Sequence, residues 1–301
     1  MKSPWISALR SVALTVPDLA AARNFYTQVW KLDVADEAGG MLYLRGSGSD
    51  HHLLALREAQ GTPQILKVTL RARADEALAA IADAATLAGG VVERAPAVAD
   101  DPAGGRSLLI RDAHGRRLEV VHGDRLRMAD DPAPIDQPTR LAHAVLNSHD
   151  VPTTQAFMEK ALGFVLADRT RIMAFMNCDA DHHTIALGDT DNDALNHIAF
   201  VMPSLDAAMR GGGRMKDAGH AIEWGPGRHG PGDNAFNYFI DPFGIVIEYT
   251  AEVEQIDDSY QPGSPSDWIW PPGRVDQWGI SAPPSARLKA AQRVVLFSSS
   301  L

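Results

Sequence analysis

Two histidines and one glutamate in the second half of the chain have the side chains needed to hold a metal ion. His143 begins an apolar strand, His197 lies in the predicted strand 195–200, and Glu248 lies in the predicted strand 245–249. Two imidazoles and one carboxylate on separate strands of one sheet can converge on a single face of a metal ion. Such a site leaves open positions, which suits non-haem Fe(II) that must bind a substrate and O2 together, and the same ligands tolerate Mn(II).

The hairpin that ends with Glu248 is predicted to bring a phenol to the same place. The segment 241–244, Asp-Pro-Phe-Gly, is typical of a type I turn followed by a left-handed glycine, which closes a three-residue hairpin loop. That loop pairs Asp241 with Ile245 and, three positions further along each strand, Tyr238 with Glu248. Directly opposed residues point to the same face of a sheet. Tyr238 should therefore project toward whatever Glu248 binds.

Two further segments present histidines near these strands. The Gly/Pro-rich segment 225–232 must follow a special backbone path, and it carries His229. His182 and His183 directly precede an apolar strand. Because side chains alternate between the two faces of a strand, only one of this pair can face the site.

Composition limits the partners that the protein can have. The 301 residues include 28 Lys plus Arg and 38 Asp plus Glu, which gives a formal net charge of −10. This balance indicates no nucleic-acid or membrane partner, and no stretch approaches the roughly 20 apolar residues of a membrane span. The N-terminus lacks the apolar core of a signal peptide, so we expect a cytoplasmic protein. The single cysteine, Cys178, excludes an internal disulfide framework and leaves the eleven histidines as the main pool of metal ligands.

The chain contains two copies of one unit. Segments 50–56 and 181–187 share an Asp-His-His start at an offset of 131 residues, and segments 112–115 and 241–244 share an Asp-x-x-Gly turn at an offset of 129. A period of about 130 residues is too long for a solenoid and fits two copies of a small domain.

Each copy has the same predicted order of elements, βαβββ occurring twice, which makes the fold class α+β. An aspartate caps the first helix of each copy. The second helix covers 75–87 in copy one and begins near Ser204 in copy two. Because glycine is a poor helix former, the segment 211–213, Gly-Gly-Gly, is expected to interrupt that last helix.

The pattern also predicts how the chain is divided. We expect an N-terminal domain at 1–128, a linker rich in Pro and Asp at 129–138, and a C-terminal domain at 139–255. The tail at 256–301 contains three tryptophans. A disordered tail would rarely contain so many tryptophans, so we expect it to pack on the body.

Copy one has lost most of the candidate metal ligands. The positions that match them are Ser11, Lys67 and Glu119. A protonated lysine cannot bind a metal ion, so copy one should hold no metal. We expect Lys67 to stand in the place of the ion and to pair with Glu119.

The chain resembles the type I extradiol ring-cleavage dioxygenases, which belong to the vicinal oxygen chelate superfamily and include the catechol 2,3-dioxygenases. The resemblance covers about residues 8 to 255. It rests on the ligand strands and on a Gly-Arg-His-Gly run at 227–230, followed by a tyrosine and an Asp-Pro-Phe-Gly turn. Its most specific part is the motif around His229 to Glu248. It implies two tandem vicinal oxygen chelate domains, each of paired βαβββ modules that form a curved mixed sheet around a central cavity.

The resemblance also implies a role for each site residue. His183 would stand beside the O2 site, and His229 and Tyr238 would contact the substrate oxygens. The implied reaction is cleavage of a catechol-type ring by O2 next to its two hydroxyl groups, catalysed by a homo-oligomer. The implied ligands of Fe(II), or of Mn(II) in its place, are His143, His197 and Glu248.

Two other functions fit the same scaffold. A different metal-dependent enzyme of the superfamily, such as a glyoxalase-like isomerase or an epimerase, would use the metal without needing His183, His229 and Tyr238. A metal-free protein that binds an aromatic ligand or drug would have no use for an open metal site. The combination of ligands and further residues therefore favours the dioxygenase.

Overall fold

The computed structural model describes residues 2–300, which form two large mixed β-sheets in succession along the chain. Copy one contains β1 (Ile6–Val16), α1 (Leu19–Asn24), β2 (Asp33–Ala38), β3 (Met41–Arg45), β4 (Leu54–Glu58), β5 (Ile65–Ala72), α2 (Glu76–Leu87), β6 (Val91–Val98), β7 (Arg106–Arg111) and β8 (Arg117–His122). Copy two contains β9 (Arg140–Ser148), α3 (Val151–Leu162), β10 (Val165–Arg169), β11 (Met173–Asn177), β12 (Ile185–Asp189), β13 (Ala194–Val201), α4 (Leu205–Asp217), β14 (Trp224–Arg228), β15 (Ala235–Ile240) and β16 (Val246–Ala251). The C-terminal segment adds α5 (Ala286–Ala291) and β17 (Val295–Leu296).

Both sheets have the same topology. The strand orders are β2-β3-β4-β1-β5-β8-β7-β6 and β10-β11-β12-β9-β13-β16-β15-β14. In each sheet two βαβββ modules meet at an antiparallel pair, which is β1 with β5 in copy one and β9 with β13 in copy two. Strands of both modules line one cavity in each copy, of about 460 Å³ in copy one and about 390 Å³ in copy two. The predicted α+β class and the duplicated arrangement around a cavity are confirmed.

Three helices begin where the side-chain signals placed them. Asp18 accepts a hydrogen bond from the backbone of Ala21, and Asp150 does the same for Thr153. Ser204 caps α4 by accepting from Ala207 N. These caps satisfy N–H groups that have no partner inside the helix.

The predicted break at Gly211–Gly213 is wrong, because α4 runs without interruption from Leu205 to Asp217. A Cβ atom at Gly211 would lie 2.8 Å from the ring of Tyr249, and one at Gly212 would lie 3.4 Å from the amide of Asn237. The glycines therefore let α4 lie close to the sheet, and the packing gained there outweighs their poor helix propensity.

The two copies share one hydrophobic core. Trp30 of copy one stacks on Tyr249 of β16 with ring centroids 3.6 Å apart. The Tyr26 hydroxyl donates to Asp241, at the turn between β15 and β16, over 2.9 Å. Copy one thus supports the hairpin of copy two that carries Tyr238 and Glu248.

The C-terminal segment lies against copy two. Strand β17 pairs with β13, and Leu288 and Val295 are buried. Further upstream, rings of Trp268 and Trp270 pack against the backbone of Gly230. Within residues 2–300 no helix has both the length and the apolar character required to cross a bilayer.

We predict that Gly211→Ala destabilises the protein by about 1–3 kcal/mol, because the added methyl group overpacks against Tyr249. This loss should exceed the gain in helix propensity, which is about 1 kcal/mol. Gly213→Ala is the matched control, since its methyl group would meet nothing within 4 Å and should leave stability equal or higher. Urea unfolding measures both, and equal stability of the two variants would contradict the packing described for α4.

Candidate metal centre

The register of three adjacent strands brings the candidate ligands to one face of the sheet. Ala199 of β13 is the pairing partner of His143 on β9 and also of Glu248 on β16. His197 lies two residues before Ala199, and residues two apart on a strand point to the same face. The three polar side chains therefore surround one point above the small side chain of Ala199.

The distances between these groups fit one shared ion. His143 Nε2 lies 3.4 Å from His197 Nε2, and Glu248 Oε2 lies 3.3 Å and 3.2 Å from those two nitrogens. Ligand atoms about 2.1 Å from one ion and at right angles to each other are about 3.0 Å apart. Within residues 2–300 these three form the one group of His, Cys, Asp or Glu residues with the closeness that a metal site needs.

The state of the polar atoms supports the same reading. All three side chains are buried, and among residues 2–300 Glu248 Oε2 has no hydrogen-bond partner. A buried carboxylate oxygen without a donor is costly. Two imidazole nitrogens face that oxygen, so a divalent cation between them would satisfy all three atoms.

Electrostatics favour the protonation states that bind metal. Burial by itself would raise the pKa of Glu248, but the adjacent His143 and His197 hold it well below its usual range. Burial lowers the pKa of His197, and Glu248 opposes that effect only in part. At neutral pH the site therefore presents a carboxylate and a neutral imidazole, the forms in which both residues can act as ligands.

His183 borders the candidate metal centre, whereas its neighbour does not. The His183 ring lies 4.3 Å from the His143 ring and lines the cavity of copy two. His182 instead places Nε2 2.9 Å from buried Asp168, and its Nδ1 lies 3.1 Å from His183 Nδ1. Of the pair, His183 is therefore the one that lines the cavity. Burial and the surrounding imidazoles hold the pKa of His183 well below its usual range, so the ring is neutral.

The backbone next to His183 depends on a glycine. Gly232 has φ +81°, and a Cβ atom there would lie 3.0 Å from His183 Cε1. Glycine is the residue that adopts this left-handed conformation without cost. The Gly/Pro-rich segment therefore lets the chain pass close to the histidine.

His229 and Tyr238 form a polar pair beside the metal ligands. Tyr238 is the register partner of Glu248, as the three-residue loop predicted, and Gly244 in that loop has φ 91°. The Tyr238 hydroxyl lies 3.0 Å from His229 Nε2 and 3.4 Å from His197 Nε2. Burial raises the pKa of Tyr238 well above 10 and lowers that of His229 to about 4. Both groups are therefore neutral near pH 7.

The cavity that these residues share has mainly apolar walls and a volume of about 390 Å³. Trp224 stacks on Tyr238 with ring centroids 5.0 Å apart and pairs with it in register. Because the register shifts after Trp224, this pairing cannot be found by counting residues along the two strands. Three further lining residues come from the C-terminal segment, which belongs to no repeat, so no pattern pointed to them: Pro284, Lys289 and Gln292.

Copy one contains an ion pair where copy two has its candidate ligands. Lys67 Nζ lies 2.5 Å from Glu119 Oε2, as predicted, and Arg94 donates to the other carboxylate oxygen over 2.9 Å. Cationic side chains thus compensate the buried Glu119. Ser11, at the third matching position, accepts a hydrogen bond from Arg10.

Comparisons with known proteins agree with this fold. The model of the glyoxalase/bleomycin resistance protein/dioxygenase superfamily matches residues 8–120 and 140–249. The chain is 32% identical over 155 residues to metapyrocatechase 2 of Cupriavidus necator, a match that covers 48% of this chain and 46% of that protein. The chain therefore matches less than half the length of this curated relative.

Two solved structures extend the comparison over nearly the whole chain. One is a Mn(II)-bound glyoxalase from Novosphingobium aromaticivorans, with 33% identity, a TM-score of 0.87 and 94% of each chain covered. The other is a homoprotocatechuate 2,3-dioxygenase from Arthrobacter globiformis, with 22% identity, a TM-score of 0.85, and 99% of this chain and 94% of that chain covered. At that identity the second likeness concerns the fold alone.

We predict that Glu248→Gln weakens Mn(II) binding by more than about 100-fold, since loss of a group that merely orients a ligand already costs about 10–100-fold. The amide has no charge to offset the cation. Equilibrium dialysis with elemental analysis measures the affinity. Glu119→Gln, the matched change in copy one, should bind Mn(II) as the wild type does, and equal binding by all three proteins would contradict the assignment of Glu248.

Proposed function

The chain belongs to the glyoxalase/bleomycin resistance protein/dioxygenase superfamily, and within it we propose the activity of an extradiol dioxygenase that cleaves a catechol-type ring with O2. The observation that carries the proposal is that two functional sets of residues border the same cavity. It contains an open site with three converging ligands, and it is also lined by His183, His229 and Tyr238. A protein that only binds an aromatic ligand needs neither the metal ligands nor these three residues. In a reaction with O2, the three residues could transfer protons and bind substrate oxygens.

In this proposal His143, His197 and Glu248 hold Fe(II), or Mn(II) in its place. A redox-active metal at this point supplies the electron transfer that lets triplet O2 react with a closed-shell aromatic ring. Both histidines line the cavity, so the side of the site that lacks protein ligands faces the space where a substrate would lie.

The apolar walls and the polar pair would bind and orient the substrate. The aromatic side chains of Phe175 and Trp224 both line the cavity and can contact a planar ring. The Tyr238 hydroxyl keeps its proton at neutral pH and can donate it in a hydrogen bond to a substrate oxygen. His229 is neutral and can accept the proton that a phenolic hydroxyl loses on binding.

His183 would act as the acid or base for the oxygen-derived groups. Its Nδ1 is engaged with His182, so Nε2 is the ring nitrogen left for contacts in the cavity. A neutral imidazole can accept a proton from a reacting group and return it later, which is the property that a proton shuttle needs. Asp168 and Tyr260 both contact Nε2 of His182 and so fix the orientation of the ring that contacts His183.

A second candidate is a metal-dependent isomerase of the glyoxalase type. It is favoured by 33% identity over 94% of both chains to the Mn(II)-bound glyoxalase. Isomerisation consumes no O2, so oxygen uptake separates the two functions.

The homo-oligomer and the cytoplasmic location stay predictions. Light scattering of the purified protein measures the first, and a mass equal to the 32.5 kDa chain would contradict it.

The direct test of the proposed activity is anaerobic loading with Fe(II), followed by exposure to air and a panel of substituted catechols. We expect O2 uptake in step with a yellow ring-cleavage product for at least one catechol. Fully loaded protein that consumes no O2 with any catechol would contradict the proposal, and turnover of an isomerase substrate without O2 would favour the second candidate.

We predict that His183→Ala retains iron and lowers kcat by about 10²–10⁴-fold, the usual contribution of a positioned acid or base. Iron content by elemental analysis and turnover by oxygen uptake are measured on the same sample. His149→Ala, at a surface position, is the control and should leave both unchanged. Loss of iron in His183→Ala would contradict the role given to this residue.

A further inference from the structure

Three asparagine side chains form a hydrogen-bonded chain that starts at the ring of His197. His197 Nδ1 lies 2.8 Å from Asn196 Oδ1. Asn196 Nδ2 donates to Asn147 Oδ1 over 2.9 Å. Asn147 Nδ2 donates in turn to Asn192 Oδ1 over 3.0 Å. The ring nitrogen that faces away from Glu248 is thereby connected to a polar network.

This network ends on the backbone of the C-terminal segment. The second hydrogen of Asn147 Nδ2 goes to the carbonyl of Gln292 over 2.9 Å, and Asn192 Nδ2 donates to the carbonyl of Arg293 over 2.8 Å. Both carbonyls directly follow α5, where helical carbonyls lack a partner of their own. Two residues later β17 pairs with β13, the strand that carries His197.

The chemistry of the groups fixes the direction of every hydrogen bond. A carbonyl can only accept, so Asn147 and Asn192 must turn their NH2 groups toward the C-terminal segment. An amide has one donating and one accepting end. Asn147 therefore presents its oxygen to Asn196, and Asn196 presents its oxygen to His197. The proton of the neutral His197 ring must then be on Nδ1, which leaves a lone pair on Nε2 for a metal ion.

We propose that the docked C-terminal segment sets the tautomer and orientation of His197 through Asn192, Asn147 and Asn196, so that docking of this segment and metal binding stabilise each other. The three asparagines are positioning residues. The coupling is reciprocal: metal binding must strengthen docking by the same free energy as docking strengthens metal binding. The inference rests on the proposed metal site and is independent of ring-cleavage activity.

Copy one supplies a comparison within the same chain. The positions that match Asn196 and Asn147 are Leu66 and Thr15, and Lys67 stands where His197 would be. The amides are thus present in the copy with an imidazole to orient and absent from the copy without one. Leucine at this strand position is also compatible with the fold.

The test uses Asn196→Leu and Asn196→Asp in the full-length protein, with free Mn(II) measured by electron paramagnetic resonance. Asn196→Leu removes the acceptor for His197 Nδ1 and should weaken Mn(II) binding by about 10–100-fold. Asn196→Asp keeps the acceptor but cannot donate to Asn147, so it should bind Mn(II) more tightly than Asn196→Leu and more weakly than the wild type. Asn24→Leu, at an exposed helix position, is the matched control.

Hydrogen exchange of the backbone amides in residues 286–296 measures how metal binding changes the docking of the C-terminal segment. Mn(II) should slow exchange there in the wild type, and this effect should disappear in Asn196→Leu and shrink in Asn196→Asp, which cannot donate to Asn147. Asn192→Ala breaks the outermost contact and should reduce the protection without lowering affinity as far as Asn196→Leu.

Three results would overturn the inference: Asn196→Leu that binds Mn(II) like the wild type, Asn196→Asp that binds as weakly as Asn196→Leu, or wild-type exchange at 286–296 that ignores Mn(II). Wild type that binds no Mn(II) would overturn the proposed metal site as well. Wild type that shows the coupling but cleaves no catechol would overturn the dioxygenase proposal and leave this inference standing.

Discussion

The pairing of β13 with both of its neighbours is the constraint on which the rest of the site depends. Ala199 faces His143 on one side and Glu248 on the other, and His197 follows on the same face. A shift of one residue in either pairing would turn a ligand to the opposite face of the sheet. The turn at 241–244 sets the adjacent register of β15 with β16, which places Tyr238 opposite Glu248. Copy one supports that turn through its contact with Asp241. The position of the candidate ligands is therefore decided by backbone hydrogen bonds and core packing and does not require an ion.

The two copies show how one scaffold can satisfy a buried carboxylate in two ways. Glu119 in copy one has Lys67 and Arg94 as neighbours, so its charge is compensated within the protein. Glu248 in copy two has two imidazoles beside it and, among residues 2–300, an oxygen without a hydrogen-bond donor. A buried charge needs a partner, and in copy two that partner is the cation we propose. In copy one, Lys67 and Arg94 together supply the positive charge that Glu119 needs.

The duplicated fold was predictable because repeats and strand alternation can be recognised in a single chain. The six site residues stay predictions: strand positions and turn geometry point to His143, His197, Tyr238 and Glu248, whereas His183 and His229 come from the family resemblance. Tyr238 is the clearest case, since its place follows from the length of one loop. Features that rely on contacts between distant segments were not predictable in this way. The helix propensity of glycine predicts a break at Gly211, whereas the contact that favours glycine there is with Tyr249, 38 residues further along the chain. The contact of Trp224 with Tyr238 depends on a register shift between β14 and β15. The hydrogen bond of Asn192 is to the C-terminal segment, which lies outside both repeats.

Anomalous scattering from crystals equilibrated with Mn(II) tests the central claim most directly. The account predicts one strong peak in copy two, about 2.0–2.2 Å from His143 Nε2, His197 Nε2 and a Glu248 oxygen, with its remaining side open to the cavity. It predicts no peak beside Lys67 in copy one. A peak at another place, a peak in copy one, or an ion enclosed by protein ligands on every side would contradict the account.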